Sequence, residues 1–494
     1  MGWDETMTDL NRIDGTDAHE ELFGTIGNDE IFGGLGHDIL HGDAGDDTLH
    51  GGGGHDRLYG GEGRDVLNGG DGHDILEGGA GRDTLRGNAG FDILDGGEGG
   101  DLFLVGLDDL GFVDDYRDSG TSGRDVIRAV EAGTVIGLIT SFSYAASGIE
   151  VIGSGRNADV TIGGTNDAEV YDFTGVRLSG IRMINTLDGH DTVTANEQNN
   201  RIDGGAGHDT VFGMDGNDKL WGGDGNDTLD GGGGNDRLDG GAGHDILEGG
   251  EGRDTFVFDT SGNGFFDTVT DNGTDGARDR IIAVEANTQI GLQDSFSAAD
   301  GIEAINGRKL ENVTLQASDG GVDWDFSDIR LAHIASINGG DGMDSIVGSA
   351  RRDTIDGGAG SDVLAGGGGS DRLFGGEDSD FLFGGEKRDY LFGETGNDVL
   401  DGGLGNDLLW GGEGYDTFVF GPGGGRDRVM DFAVGEDRID LTAFGAMDFA
   451  DLDMRDTSRG VRIRLEDAVV YLEGVTVEEL SASDFVFEEG LLFA

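Results

Sequence analysis

From Gly60 the chain reads GGEGRDVLNGGDGHDILEGGAGRDTL, one nine-residue phrase written three times. The phrase is Gly-Gly-X-Gly-X-Asp-X-U-X, with U apolar. A period this short means that each unit is the same small element, able to bury its apolar side only by stacking on its neighbours. The last three residues alternate outward, inward, outward, as a short strand must. The first six turn the chain, where glycine supplies positive φ and lets backbones approach closely. Two phrases, 18 residues, make one coil with two strands and two turns, and coils stack about 4.8 Å apart. The class expected is all-β: three parallel β-rolls, a right-handed β-solenoid of nonapeptide repeats, joined by β-rich spacers and closed by a β-rich C-terminal cap.

The repeat aspartates fall into three arrays. The first holds Asp29, Asp38, Asp47, Asp56, Asp65, Asp74, Asp83, Asp92 and Asp101. The second holds Asp191, Asp209, Asp218, Asp227, Asp236, Asp245 and Asp254, with Asn200 at the missing step. The third holds Asp344, Asp353, Asp362, Asp371, Asp380, Asp389, Asp398, Asp407 and Asp416. Between the arrays a longer repeat appears. RDVIRAVEAGTVIGL at Arg124–Leu138 returns as RDRIIAVEANTQIGL at Arg278–Leu292, 153 to 154 residues on, and YDFTGVRLSGIRMIN at Tyr171–Asn185 returns as WDFSDIRLAHIASIN at Trp324–Asn338. A unit of array plus spacer was duplicated in tandem. The segments are a lead-in at 1–28, rolls at 29–103, 191–258 and 344–420, spacers at 104–190 and 259–343, and a C-terminal segment at 421–494. Short alternations such as VTI, VYDF and RMIN make the spacers strand-rich, and the AVEA stretches at Ala129–Ala132 and Ala283–Ala286 are expected as short helices.

Glycine makes up 101 of 494 residues, against an average near 7%, while proline occurs once, which excludes collagen and ordinary linkers. Acidic residues number 100 and basic ones 32, a net charge of −68. Nucleic acid and anionic membrane surfaces are excluded as partners. Such a chain resists compaction unless something cationic offsets it. Stacking sets each aspartate over the one 18 residues away, so the repeat itself names the counter-ion: a hard dication between coils, held by aspartate oxygens and turn carbonyls. Calcium, with six to eight oxygen ligands, fits better than magnesium. About 20 such ions would add about +40 and couple folding to binding. All 25 repeat aspartates named above are the candidate ligands. No apolar run is long enough to span a membrane, no basic-plus-apolar leader is visible at the N-terminus, and cysteine is absent, which excludes disulfides.

These residues resemble the RTX, or hemolysin-type calcium-binding repeat, family across all three arrays. The resemblance implies a parallel β-roll, multiple Ca²⁺ ions, and secretion to the extracellular space through a type I (ABC) apparatus. The terminal stretch from GGGRDRVMDFAVGEDRIDLTAFG to SASDFVF looks like the end of such exported proteins, where an uncleaved signal lies. Glu20 and Asn200 stand where the family has Asp, and Ala350–Arg352 and Glu386–Arg388 interrupt the glycines, which weakens the expectation at those turns.

Histidines precede the aspartate at His37, His55, His73, His190, His208 and His244, a position that also takes Arg, Asn, Asp and Ser, so a solvated surface outweighs a transition-metal site. Motifs for a zinc protease, a nucleophile elbow and a P-loop are absent, and the residues before the first array are too few for a catalytic domain. Phe374, Phe392 and Trp410 recur every 18 residues on an outward position, expected to pack under the C-terminal segment or to form a partner or self-association face. The function expected is calcium binding by a secreted, non-enzymatic scaffold or adhesive component, extracellular or cell-surface associated, with extracellular polysaccharide or a second copy as further partners. The alternative is a secreted enzyme or toxin with its site in the spacers.

Overall fold

The computed structural model describes residues 10–109, 113–139, 141–274, 276–445 and 448–487. The N-terminal nine residues of the lead-in and the last seven of the C-terminal segment lie outside the described residues. Two compact units form, Met1–Asp239 and Gly240–Ala494, so the boundary falls inside the second array. Each is a parallel β-solenoid.

In the first unit, every nonapeptide contributes a short strand and every second one pairs in parallel, one residue per rung. One apolar column runs Ile31, Leu49, Leu67, Leu85, Phe103, Ile127, Ile152 and Leu178 in direct register. The facing column runs Leu22, Leu40, Leu58, Leu76, Leu94 and Tyr116. The first column does not stop at the end of the array. The spacer adds coils of 24 to 26 residues in place of 18, and their apolar residues continue it. The second spacer behaves alike in the second unit, where Phe256, Ile281, Ile305 and Leu331 form one column.

In the second unit the third array carries columns of Leu373, Leu391 and Leu409 and of Leu364, Leu382 and Leu400, all fully buried. The C-terminal segment first extends the sheet, Gly425–Val429 pairing in parallel with Ala468–Glu473. It then turns antiparallel through Gly460–Arg464 and Asp453–Asp456. An open parallel edge invites pairing with other chains, and this antiparallel hairpin covers it.

The AVEA stretches are not helices. Ala129 ends the strand Val126–Ala129 and Ala283 ends Asp279–Ala283, and the chain then turns. The column needs Ile127 and Ile281 inward, and that demand outweighs the helical propensity of Ala and Glu. The α-helix among the described residues is the single turn Tyr144–Ser147, capped by Ser143.

The inward leucines carry the apolar burial. Leu76 is fully buried between its neighbours in the column, whereas Leu35 is 58% exposed. Leu76→Ala is expected to cost about 2–5 kcal/mol and Leu35→Ala under about 0.5 kcal/mol, read as shifts in the urea midpoint of the calcium-loaded protein.

Candidate metal centre

Each repeat aspartate stands between a glycine turn and the strand that follows, with its side chain turned inward. Asp38, Asp47, Asp56, Asp65, Asp74 and Asp83 are each 1% exposed. A buried carboxylate needs partners for its oxygens. One oxygen finds its partner in the adjacent coil. The Asp29 N–H donates to Asp47 Oδ1 at 2.7 Å, Asp38 to Asp56 and Asp47 to Asp65 at 2.8 Å, and Asp65 to Asp83 at 2.9 Å. The same staple joins Asp191 to Asp209, Asp209 to Asp227 and Asp218 to Asp236. In the third array it runs in 18-residue steps from Asp344 to Asp362 through to Asp398 and Asp416.

The other oxygen is left over. Oδ2 is buried without a hydrogen-bond partner from Asp38 through Asp101, in Asp191, Asp209 and Asp218, in Asp344, and from Asp362 through Asp416. Asp227, Asp236, Asp245 and Asp254 are equally buried, and Asp245 and Asp254 each donate their N–H to a carboxylate of the following coil, Asp267 and Asp279.

The glycines shape the space around Oδ2. A Cβ on Gly78 would lie 2.6 Å from Asp83 Oδ2 and 2.6 Å from the Gly96 carbonyl oxygen. An aspartate oxygen of one coil and a carbonyl of the next therefore converge on one point. The third array repeats this at Gly366, where the distances are 2.7 Å to Asp371 Oδ2 and 2.7 Å to the Gly384 carbonyl. Gly63, with φ +141°, would drive a Cβ into the Gly45 carbonyl of the preceding coil. Oxygens converging from two coils are the donor set of a hard cation.

The electrostatics agree. Burial pushes Asp65 and Asp92 up to about 6 and Asp74, Asp83 and Asp218 up to about 7. The N–H of the adjacent coil pulls each back in part, and neighbouring carboxylates push Asp65, Asp74 and Asp83 up further.

The family model for the RTX calcium-binding nonapeptide repeat matches at 14–49, 41–76, 50–85, 77–109, 185–220, 221–256, 338–373, 357–386 and 383–418, half of the chain in all. The chain belongs to the RTX calcium-binding repeat family. Two solved structures are similar in part. The AlgE6R3 subunit of the Azotobacter vinelandii mannuronan C5-epimerase is 28% identical over 31% of this chain and 82% of its own, with a TM-score of 0.18. The extracellular lipase LipA from Serratia marcescens is 18% identical over 53% of this chain and 40% of its own, with a TM-score of 0.17. No curated protein matches the chain.

Within this RTX protein some turns close without a free oxygen. Where Thr or Ser replaces the second glycine, its hydroxyl and N–H occupy the carboxylate: Thr25 with Asp29 Oδ2, and Ser349 with Asp353 Oδ2. Asn200 spends its side-chain amide on Asn196. By contrast Asp389, after the interrupted turn Glu386–Arg388, keeps a buried, unpartnered Oδ2.

Where the residue before the aspartate is His, Asn or Asp, it can build a second ladder that the sequence alone did not reveal. His37 Nδ1 accepts the His55 N–H at 2.6 Å and His55 Nδ1 the His73 N–H at 2.7 Å, with rings stacked 4.8 and 5.0 Å apart. Asn199 and Asn217 accept through Oδ1 in the same way, as does Asp46 from Arg64. The exposed histidines are thus short acceptors engaged by backbone. Also missed were Asp114, Asp125, Asp267, Asp279, Asp427 and Asp437, which accept from the last aspartates of the arrays. Their signal is Asp-X-apolar after a degraded glycine turn, as in Gly120-Thr121-Ser122-Gly123-Arg124-Asp125-Val126-Ile127 and Gly435-Glu436-Asp437-Arg438-Ile439. Phe374, Phe392 and Trp410 stack on one another at 4.8 and 4.5 Å and are half-buried.

Because the folded carboxyls titrate above their unfolded range, the metal-free stack binds extra protons. Its stability is present below about pH 4 and is lost as pH rises through 6 to 7. The calcium-stripped chain is expected to gain β-dichroism between pH 8 and 5, while the calcium needed for half-saturation rises as protons compete. Dichroism followed against pH and calcium checks both. At one site, Asp83→Asn keeps an oxygen for the Asp65 N–H but loses the anionic ligand, and Asp83→Ala loses both. Calcium binding is expected to weaken in each, with a further drop of about 1 kcal/mol in stability for the alanine.

Proposed function

We propose that this chain is a secreted, non-enzymatic RTX protein that folds on extracellular calcium and serves as an extracellular or cell-surface scaffold or adhesive component. The observation that carries the reading is the row of buried Oδ2 atoms, none hydrogen-bonded at the turns named above, which from Asp38 to Asp83 and from Asp362 to Asp398 face a carbonyl of the next coil. Calcium supplies the missing partner, takes ligands from two coils at once, and offsets part of the −68 charge. The ligands are the repeat aspartates, with the hydroxyl-filled Asp29 and Asp353 as the weakest candidates.

Export follows from the same chemistry. Where calcium is scarce the acidic chain stays extended and threads a type I (ABC) channel; where calcium is plentiful the coils close. The C-terminal segment 421–494 carries the signal. No described helix is long and apolar enough to cross a membrane. The scaffold reading is supported by the near-duplicate spacers, since one active site has no need of two copies, and by the stacked face of Phe374, Phe392 and Trp410, which suits polysaccharide or a second copy. In a host carrying such an exporter, the full chain is expected in the medium and a chain ending at residue 420 inside the cells. Equal retention of both contradicts the route. Turnover of uronan, glycoside, ester or peptide substrates by the secreted protein contradicts the non-enzymatic role.

A further inference from the structure

The two aspartate ladders of the first array end in different chemistry. On one side the Asp92 N–H donates to Asp114 Oδ1 at 3.1 Å, and the Tyr116 hydroxyl donates to Asp114 Oδ2 at 3.0 Å. Both oxygens are satisfied and that ladder is closed. On the other side the Asp101 N–H donates to Asp125 Oδ1 at 2.7 Å, and the Asp125 N–H to Glu150 Oε2 at 2.7 Å. No hydroxyl caps this end. Asp101 is 1% exposed and its Oδ2 has no hydrogen-bond partner.

The coil between Asp101 and Asp125 has 24 residues rather than 18, and the added length brings in a third carboxylate. The Asp118 N–H is tied to the Ser147 carbonyl at 2.6 Å, and its Oδ1 accepts the Gly120 N–H at 3.3 Å. One oxygen each from Asp101, Asp118 and Asp125 lie within 4.8 Å of one another. A cavity of about 350 Å³ opens beside them, lined by Asp118, Asp125, Tyr144 and Glu150. Burial first, and then Asp118, Glu150 and Asp101, push Asp125 up to about 7. Arg82 draws Asp101 back down, a smaller influence than burial, which holds it at about 6.

We propose that Asp101, Asp118 and Asp125 bind a hard cation of their own, calcium by the all-oxygen donor set, which seals the end of the first array. Asp101 belongs to the last full glycine nonapeptide and Asp125 follows the shortened glycine turn Gly120–Gly123, whereas Asp118 stands outside any repeat, so this third carboxylate is what sets the site apart from the repeat sites. The duplication supplies an independent copy: Asp254, Asp271 and Asp279 bring their oxygens within 4.8 Å in the second unit, and the Asp279 N–H donates to Glu303 Oε2 at 2.7 Å as Asp125 does to Glu150. Three carboxylates around one ion exceed what two stacked turns provide, and affinity rises with ligand charge. These two sites therefore fill before the repeats.

The test counts calcium per chain, by elemental analysis after gel filtration at a free calcium concentration that half-fills the parent protein. Asp118→Asn and Asp271→Asn are each expected to hold one ion fewer, and the double variant two fewer, with the calcium-saturated far-UV dichroism unchanged. Parent-like counts in all three overturn the proposal. Should a variant lose its dichroism, long-wavelength anomalous diffraction from the calcium-loaded parent decides. A peak among Asp101, Asp118 and Asp125 supports the site. Peaks at the repeats with none there overturn it alone, whereas no peaks anywhere overturn both it and the repeat reading.

Discussion

The structure depends on one carboxylate doing two things. At Asp56, Asp74 and Asp83, Oδ1 accepts the backbone N–H of the coil before, and Oδ2 is held inside the stack with no hydrogen-bond donor. The first oxygen fixes the spacing of the coils. The second makes that spacing costly in the absence of a cation, because burial holds these groups far above the usual carboxylate range. The fold is thus built to be incomplete as protein alone, and the missing part is positive charge delivered between coils.

Glycine and leucine serve that arrangement. Gly63 and its equivalents let one coil lie against the carbonyls of the coil before, and a side chain at Gly78 would fill the space where oxygens converge. The inward leucines give each coil apolar area, yet a coil touches only its two neighbours, so stability is assembled rung by rung. Under the reading proposed above, calcium between the coils supplies cohesion and charge balance turn by turn. The spacers extend the stack with longer coils, and the antiparallel hairpin Gly460–Glu473 shields its last edge.

Much of this was legible in the sequence, because the nine-residue period fixes which residues face inward and which lie over one another. Asp38 above Asp56 and Leu40 above Leu58 follow from counting. Three things were not legible. Carboxylate oxygens are chemically equivalent in sequence, so the division between Oδ1 and Oδ2 needed coordinates. The residue ahead of each aspartate looked like solvated surface, yet His37, Asn199 and Asp46 share a short acceptor that only the 18-residue stacking brings to a backbone N–H. The coils of the spacers vary in length, so no fixed period announces Asp114 or Asp125, and the column through Ile127 turned an apparent helix into strand. The hydroxyls of Thr25 and Ser349 show the reverse case, one substitution in a glycine turn that gives the carboxylate oxygen a hydrogen-bond donor.

The claim beneath all of this is that calcium, and not protein contacts alone, holds the coils together. Small-angle scattering with far-UV dichroism, on the same sample before and after chelation at pH 7.5, tests it most directly. The account predicts an expanded chain with little β-signal after chelation and a compact β-rich particle when calcium returns. An unchanged radius and spectrum in the stripped protein would contradict it.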